Sequence, residues 1–105
     1  MLNINGESWG VLLVSPSHWQ LYDERADTFA LGVCNDKTKC IYINDTLPDQ
    51  LLKKVLCHEI VHAAMFSYNV DLSYEQEEVV ADLIATYGQE IIKQTNIIFK
   101  KLKGA

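Results

Sequence analysis

Cysteine is scarce in this chain. The three present, Cys34, Cys40 and Cys57, are odd in number and show no C-x-x-C spacing, so neither a disulfide framework nor a zinc knuckle is indicated. Cys34 and Cys40 could face each other across a hairpin, but in a reducing cytosol all three read as small apolar thiols. Positive charge is also in short supply, with nine Lys and Arg against fourteen Asp and Glu, for a net charge of −5. That balance argues against nucleic acid as the main ligand, because phosphate binding relies on clustered cations. The one basic concentration, Lys93, Lys100, Lys101 and Lys103, reads as favourable charge at a helix C-terminus plus a solvated tail. No apolar run approaches the roughly 18 residues of a membrane span. The short run Gly10 to Val14 has no basic segment before it and is shorter than a secretory signal core, so a cytoplasmic location is expected. There is no internal repeat, linker or low-complexity segment.

What remains is an ordinary globular composition, 49% hydrophobic and 22% charged over 105 residues, which fits one domain spanning residues 1–105. Ser8 to Val14 reads as a strand stopped by Ser15-Pro16-Ser17, and His18 to Asp27 is open between a short helix and irregular structure. Phe29, Leu31 and Val33 alternate with Thr28, Ala30 and Gly32, predicting a strand over Thr28 to Val33. Across the polar connection 35–39, Cys40 to Asn44 is β-branched and aromatic, predicting its hairpin partner. The expectation is an α+β fold with a small sheet of about three strands covered on one face by helices.

Thr46 is placed to cap the amide of Asp49, with Pro48 in the first turn, opening a helix to about Phe66. Apolar residues cover much of its circumference, so it should be the buried central helix. In its middle lies His58-Glu59-Ile60-Val61-His62, the H-E-x-x-H pattern. On a helix, His58 and His62 stand one turn apart on one face and can share a metal ion, while Glu59 turns toward the place of an attacking water. Burying two imidazoles and a carboxylate among apolar neighbours costs several kcal/mol unless a ligand compensates. A second helix starts after Ser73, which with Gln76 forms a capping box, and runs to about Thr95, with Val80, Ile84, Tyr87, Ile91 and Ile98 as its core stripe. Gly88 weakens that helix and leaves room for close helix contact. Asn96 to Ala105 reads as a frayed or separate helix.

Two histidines need a third protein ligand. No histidine follows His62, so it comes from His18 or from the acidic cluster Glu75, Glu77, Glu78 and Asp82. Glu78 alone has a further carboxylate, Asp82, one turn on along the same face. Glu78 can then bind metal while Asp82 accepts the second ring N–H of a ligand histidine, His58. Glu75 and Glu77 are accounted for by the dipole at a helix N-terminus.

His58-Glu59-Ile60-Val61-His62 followed by Glu78-Val79-Val80-Ala81-Asp82 resembles the H-E-x-x-H plus E-x-x-x-D signature of the gluzincin metallopeptidases. With its short separation and the preceding strand Ile41 to Asn44, it is most similar to the minimal ImmA/IrrE-type members found in phages, mobile elements and bacteria. The resemblance covers about Cys40 to Ala85. The metzincin pattern is excluded, since its glycine and third histidine would fall on Met65 and Tyr68. The resemblance implies a zincin-like fold, one zinc per chain on His58, His62 and Glu78, Glu59 as general base, and hydrolysis of a peptide or protein met in trans, since the chain has no room for a DNA-binding helix-turn-helix. Cys40 to Asn44, if at the sheet edge, would align that peptide. His18, Tyr68, Tyr74 and Tyr87 are candidate oxyanion partners, Tyr87 the weakest of them. The alternative is a non-catalytic zincin-like metal-binding module that recognises a regulatory partner; a further one is a helical domain without metal.

Overall fold

Asn5 and Gly6, at φ of 50° and 81°, turn the chain back between β1 (Leu2–Ile4) and β2 (Glu7–Val14). The computed structural model describes residues 2–104. β1 goes beyond the sequence expectation, although Asn-Gly between apolar residues is a strong hairpin signal because both positions need the left-handed backbone. A single 3₁₀ turn, Trp19–Leu21, follows. Then come β3 (Tyr22–Asp23), β4 (Thr28–Phe29), β5 (Gly32–Asn35) and β6 (Cys40–Asn44).

The strand expected over Thr28 to Val33 is broken in two. Thr28 and Phe29 pair with Asp23 and Tyr22, whereas Gly32 begins the pairing with β6. Between them the Ala30 N–H donates to the Leu21 carbonyl at 2.7 Å, which turns the chain from one ladder to the other. The main sheet has the order β1-β2-β6-β5, with β6 parallel to β2 and antiparallel to β5. Cys40 to Asn44 is therefore an interior strand and not the sheet edge. That edge belongs to β5. In this register Cys34 pairs with Ile41 and Asn35 with Cys40, so the two thiols project from opposite faces and do not meet across the hairpin.

α1 (Asp49–Ser67) crosses the sheet. Thr46 does not cap it: its N–H and hydroxyl both donate to Asn44 Oδ1, a local turn, and Pro48 occupies the N-cap with no side-chain bond. Beneath α1, Trp9, Ile41, Ile43 and Ile4 pack with Ala63 into the main core. The buried indole N–H of Trp9 donates to Ser67 Oγ at 2.9 Å, and Asn5 Nδ2 donates to the Ser67 carbonyl. These bonds pin the first hairpin to the end of α1.

α2 (Tyr74–Leu102) is opened by the Ser73/Gln76 capping box. It runs unbroken for 29 residues, past the expected stop near Thr95; only Ala105 of the supposed tail lies outside the described residues. No proline or glycine interrupts the helix there, and the Thr95 hydroxyl donates to the Ile91 carbonyl within it. Val61 and Met65 of α1 meet Ala81 of α2 in a second, smaller core cluster. Of the expected core stripe only Val80 is part-buried; Ile84, Tyr87, Ile91 and Ile98 are exposed, and α1, at 19 residues, does not extend as far as Ile98.

β5 comes very close to α1 at Gly32. A Cβ there would lie 2.7 Å from Val55 Cγ1 and 3.1 Å from Glu59 Cγ. Gly32→Ala is thus expected to lower stability by about 1–3 kcal/mol through overpacking, measured by urea unfolding, while Gly6, with no neighbour in reach of a Cβ, shows no such clash.

Candidate metal centre

α1 and α2 lie antiparallel across the site, so that His58 meets Asp82 while His62 meets Glu77. His62 Nδ1 lies 2.6 Å from Glu77 Oε1, and His58 Nδ1 lies 3.0 Å from Asp82 Oδ1. Each ring therefore faces a carboxylate acceptor through Nδ1, which holds the neutral imidazole proton on that nitrogen. The other ring nitrogens turn inward, and they converge. His58 Nε2 and His62 Nε2 are 3.1 Å apart. Glu78 adds Oε1 at 2.7 Å from His62 Nε2 and Oε2 at 3.4 Å from His58 Nε2.

Two imidazole nitrogens and a carboxylate oxygen thus lie within 4.8 Å of one another. Such a set is satisfied by a cation. Two nitrogens and one oxygen are also ligand types that bind a divalent metal with a coordination place left over. His58, His62 and Glu78 therefore fit a metal ion, with Glu77 and Asp82 orienting the rings from behind.

Glu59, next to His58, is 7% exposed and points toward β5. Burial raises its carboxyl above the ordinary value and Glu78 adds to this, while the two imidazoles and the Cys34 backbone amide pull the other way. The net effect is a more basic carboxylate. All of these groups except Asp82 line one cleft of about 820 Å³, together with Gly32 to Cys34 of β5 and Tyr22 to Arg25. Asp82 stands exposed at its rim.

Of the remaining candidates, His18 stays away from the site. Its Nδ1 accepts the Gln20 N–H as a cap, and its ring stacks with Trp19 and Tyr42. Among the four suggested oxyanion partners only Tyr74 lines the cleft; Tyr68 and Tyr87 do not. The Arg25 guanidinium sits 4.9 Å from the Tyr74 ring centre, and the Glu78 charge raises the Tyr74 hydroxyl above its ordinary value. Glu77 is a correction. It is part-buried against His62 and not a solvated first-turn acid, whereas Glu75 is exposed. The signal for it was available: Glu77 lies one residue before Glu78, so a helix that turns Glu78 toward one ring can offer Glu77 to the other. Cys34 also lines the cleft.

A small α+β domain with paired histidines and a glutamate gathered between two helices is of the metallopeptidase type. The family model of the IrrE N-terminal-like domain, a peptidase family designated M78, matches residues 11–96, and the chain belongs to that family. Neither the curated proteins nor the solved structures give a significant match.

Two outcomes are expected. Glu77→Gln should weaken metal affinity about 10–100-fold, measured by competition with a chelator, while Glu75→Gln leaves it unchanged. Burial pushes the Cys34 thiol up to about 12, so its thiolate is negligible between neutral pH and mild alkali. Mass-resolved alkylation at mildly alkaline pH should accordingly label Cys57 well before Cys34.

Proposed function

We propose that the chain is a zinc-dependent peptidase that cleaves peptide bonds of a protein substrate met in trans, with one zinc held by His58, His62 and Glu78. The observation that carries this reading is the convergence of two imidazole nitrogens and a carboxylate oxygen beside a buried glutamate in an open cleft. When bound, zinc supplies Lewis acidity toward the scissile carbonyl and toward water. Glu59 acts as general base: its raised basicity suits it to take a proton from the attacking water and return it to the departing amide nitrogen. β5, not β6, offers the exposed edge that an extended substrate can pair with, since Gly32, Val33 and Cys34 border the cleft. Tyr74 is positioned to donate to the oxyanion, its raised hydroxyl remaining protonated at neutral pH.

Elemental analysis tests the metal half of this reading and proteolysis the other half. Purified wild type should carry about one zinc per chain and Glu78→Ala markedly less; no zinc after reconstitution would remove the peptidase reading. Glu59→Gln should keep its zinc and lose roughly 10²–10⁴-fold in hydrolysis. Hydrolysis retained in that variant would sink the base assignment. A zinc-loaded wild type that binds a protein partner without cleaving it would favour a regulatory binding module.

A further inference from the structure

The C-terminal half of α2 presents an apolar face that the rest of the chain leaves bare. Every residue from Gln89 to Gly104 is exposed. His58 lies opposite Asp82 in an antiparallel pair, and α1 begins only nine residues before His58, so α2 outruns α1 from about Ile91 onward. On the helical repeat, Ile84, Gly88, Ile91, Ile92, Thr95, Ile98, Phe99 and Leu102 fall within one arc that contains no charge. Lys93 and Lys100 fall outside that arc, on the flank of the groove beside it. The exposures of Ile91, Ile92, Ile98, Phe99 and Leu102 are 50, 61, 47, 60 and 80%.

We propose that this face binds the same face of a second copy of the chain, the two α2 helices crossing antiparallel about a two-fold axis near Thr95. Two observations choose a helix as the occupant. A groove of about 870 Å³ runs beside the face, bordered by Ile84, Gly88, Ile91 and Ile92 and, on its polar flank, by Lys93 and Lys100. Gly88, near the midline of the arc, is also costly within a helix, and among the described residues only Ile84 of its own helix approaches the place of a Cβ there, its Cγ2 at 3.1 Å, so the neighbouring helix α1 does not fill the space. The antiparallel crossing sets Gly88 opposite Leu102 of the partner subunit and fills that notch. Small Thr95 at the axis allows close backbone approach.

Area and charge choose a second copy. The five side chains leave on the order of 500 Å² of apolar surface per chain, toward the upper end of the roughly 300–600 Å² that the largest patch of a monomer reaches. Two such faces remove on the order of 1,000 Å² or more, about the lower bound for a stable specific pair. On the helical repeat Lys93 and Lys100 flank the groove and stand outside the arc, so the antiparallel pair sets no like charges within the arc itself. An anionic bilayer is the other surface a helix of this pattern could meet, through Lys93, Lys100, Lys101 and Lys103, but it requires no notch.

Analytical ultracentrifugation of the full chain from micromolar to millimolar concentration tests this. Wild type should sediment at two chain masses at the upper end. Ile91→Lys combined with Ile98→Lys should sediment as a monomer with unchanged circular dichroism, because both side chains are exposed within one chain. Gly88→Leu, which fills the notch without adding charge, should weaken association at least tenfold. A wild type that stays monomeric throughout would overturn the proposal, as would a dimer that survives the two lysines. Vesicles of anionic phosphatidylglycerol that bind monomeric wild type, and lose it through the same lysines, would overturn it in favour of a membrane surface.

Discussion

Everything in this molecule is arranged around a liability carried by α1: two imidazoles and a carboxylate buried on a helix whose other contacts are apolar. Left alone, these groups would oppose folding. α2 answers with three carboxylates at the right heights. Glu77 and Asp82 engage the Nδ1 atoms of His62 and His58, and Glu78 reaches between the two Nε2 atoms. The effect is to move the unsatisfied chemistry to one point. Each ring is satisfied on its outer side, and the lone pairs facing inward can be balanced only by a proton or a metal ion.

The sheet supplies the other wall. Trp9, Ile41 and Ile43 fill the space under α1, and the Trp9 and Asn5 bonds to Ser67 fix where that helix ends. Gly32 then lets β5 come against Val55 and Glu59 more closely than any side chain would permit. The same close approach shields Glu59 from water and brings the free edge of β5 alongside the ligand cluster. Basicity at Glu59 and a place for an extended peptide therefore have one structural cause. A wider separation would weaken both together.

The central helix, the capping box at Ser73, and the spacings that bring His58, His62, Glu78 and Asp82 together were all legible in the sequence, because helical periodicity is local and fixed. Strand order was not. Which strand lies at the edge depends on the parallel return of β6 onto β2, a contact between residues thirty positions apart that no local pattern encodes. The break at Ala30 was hidden for the same reason, since its N–H is taken by a distant carbonyl, that of Leu21. Glu77 was misread because a first-turn acid has an adequate explanation in the helix dipole, and only the facing helix shows that it has a partner. The exposed stripe of α2 was misread in the opposite way: apolar periodicity predicts that a face will be covered, but not by which chain.

That last point ties the two halves of α2 together. From Glu77 to Asp82 the helix carries the acids that answer the imidazoles of α1, and from about Ile91 onward it carries an apolar arc with no α1 left to cover it. One rigid helix thus joins a ligand-bearing segment to an uncovered one without a hinge between them. Whatever seats on the far segment constrains the tilt of the whole helix, and tilt sets how Glu77, Glu78 and Asp82 meet the two rings. Hydrogen-bond distances of 2.6 and 3.0 Å at the Nδ1 atoms tolerate little displacement before they fail. Association through the C-terminal half would therefore stiffen the metal centre as well as hide apolar surface, with α2 itself as the mechanical link.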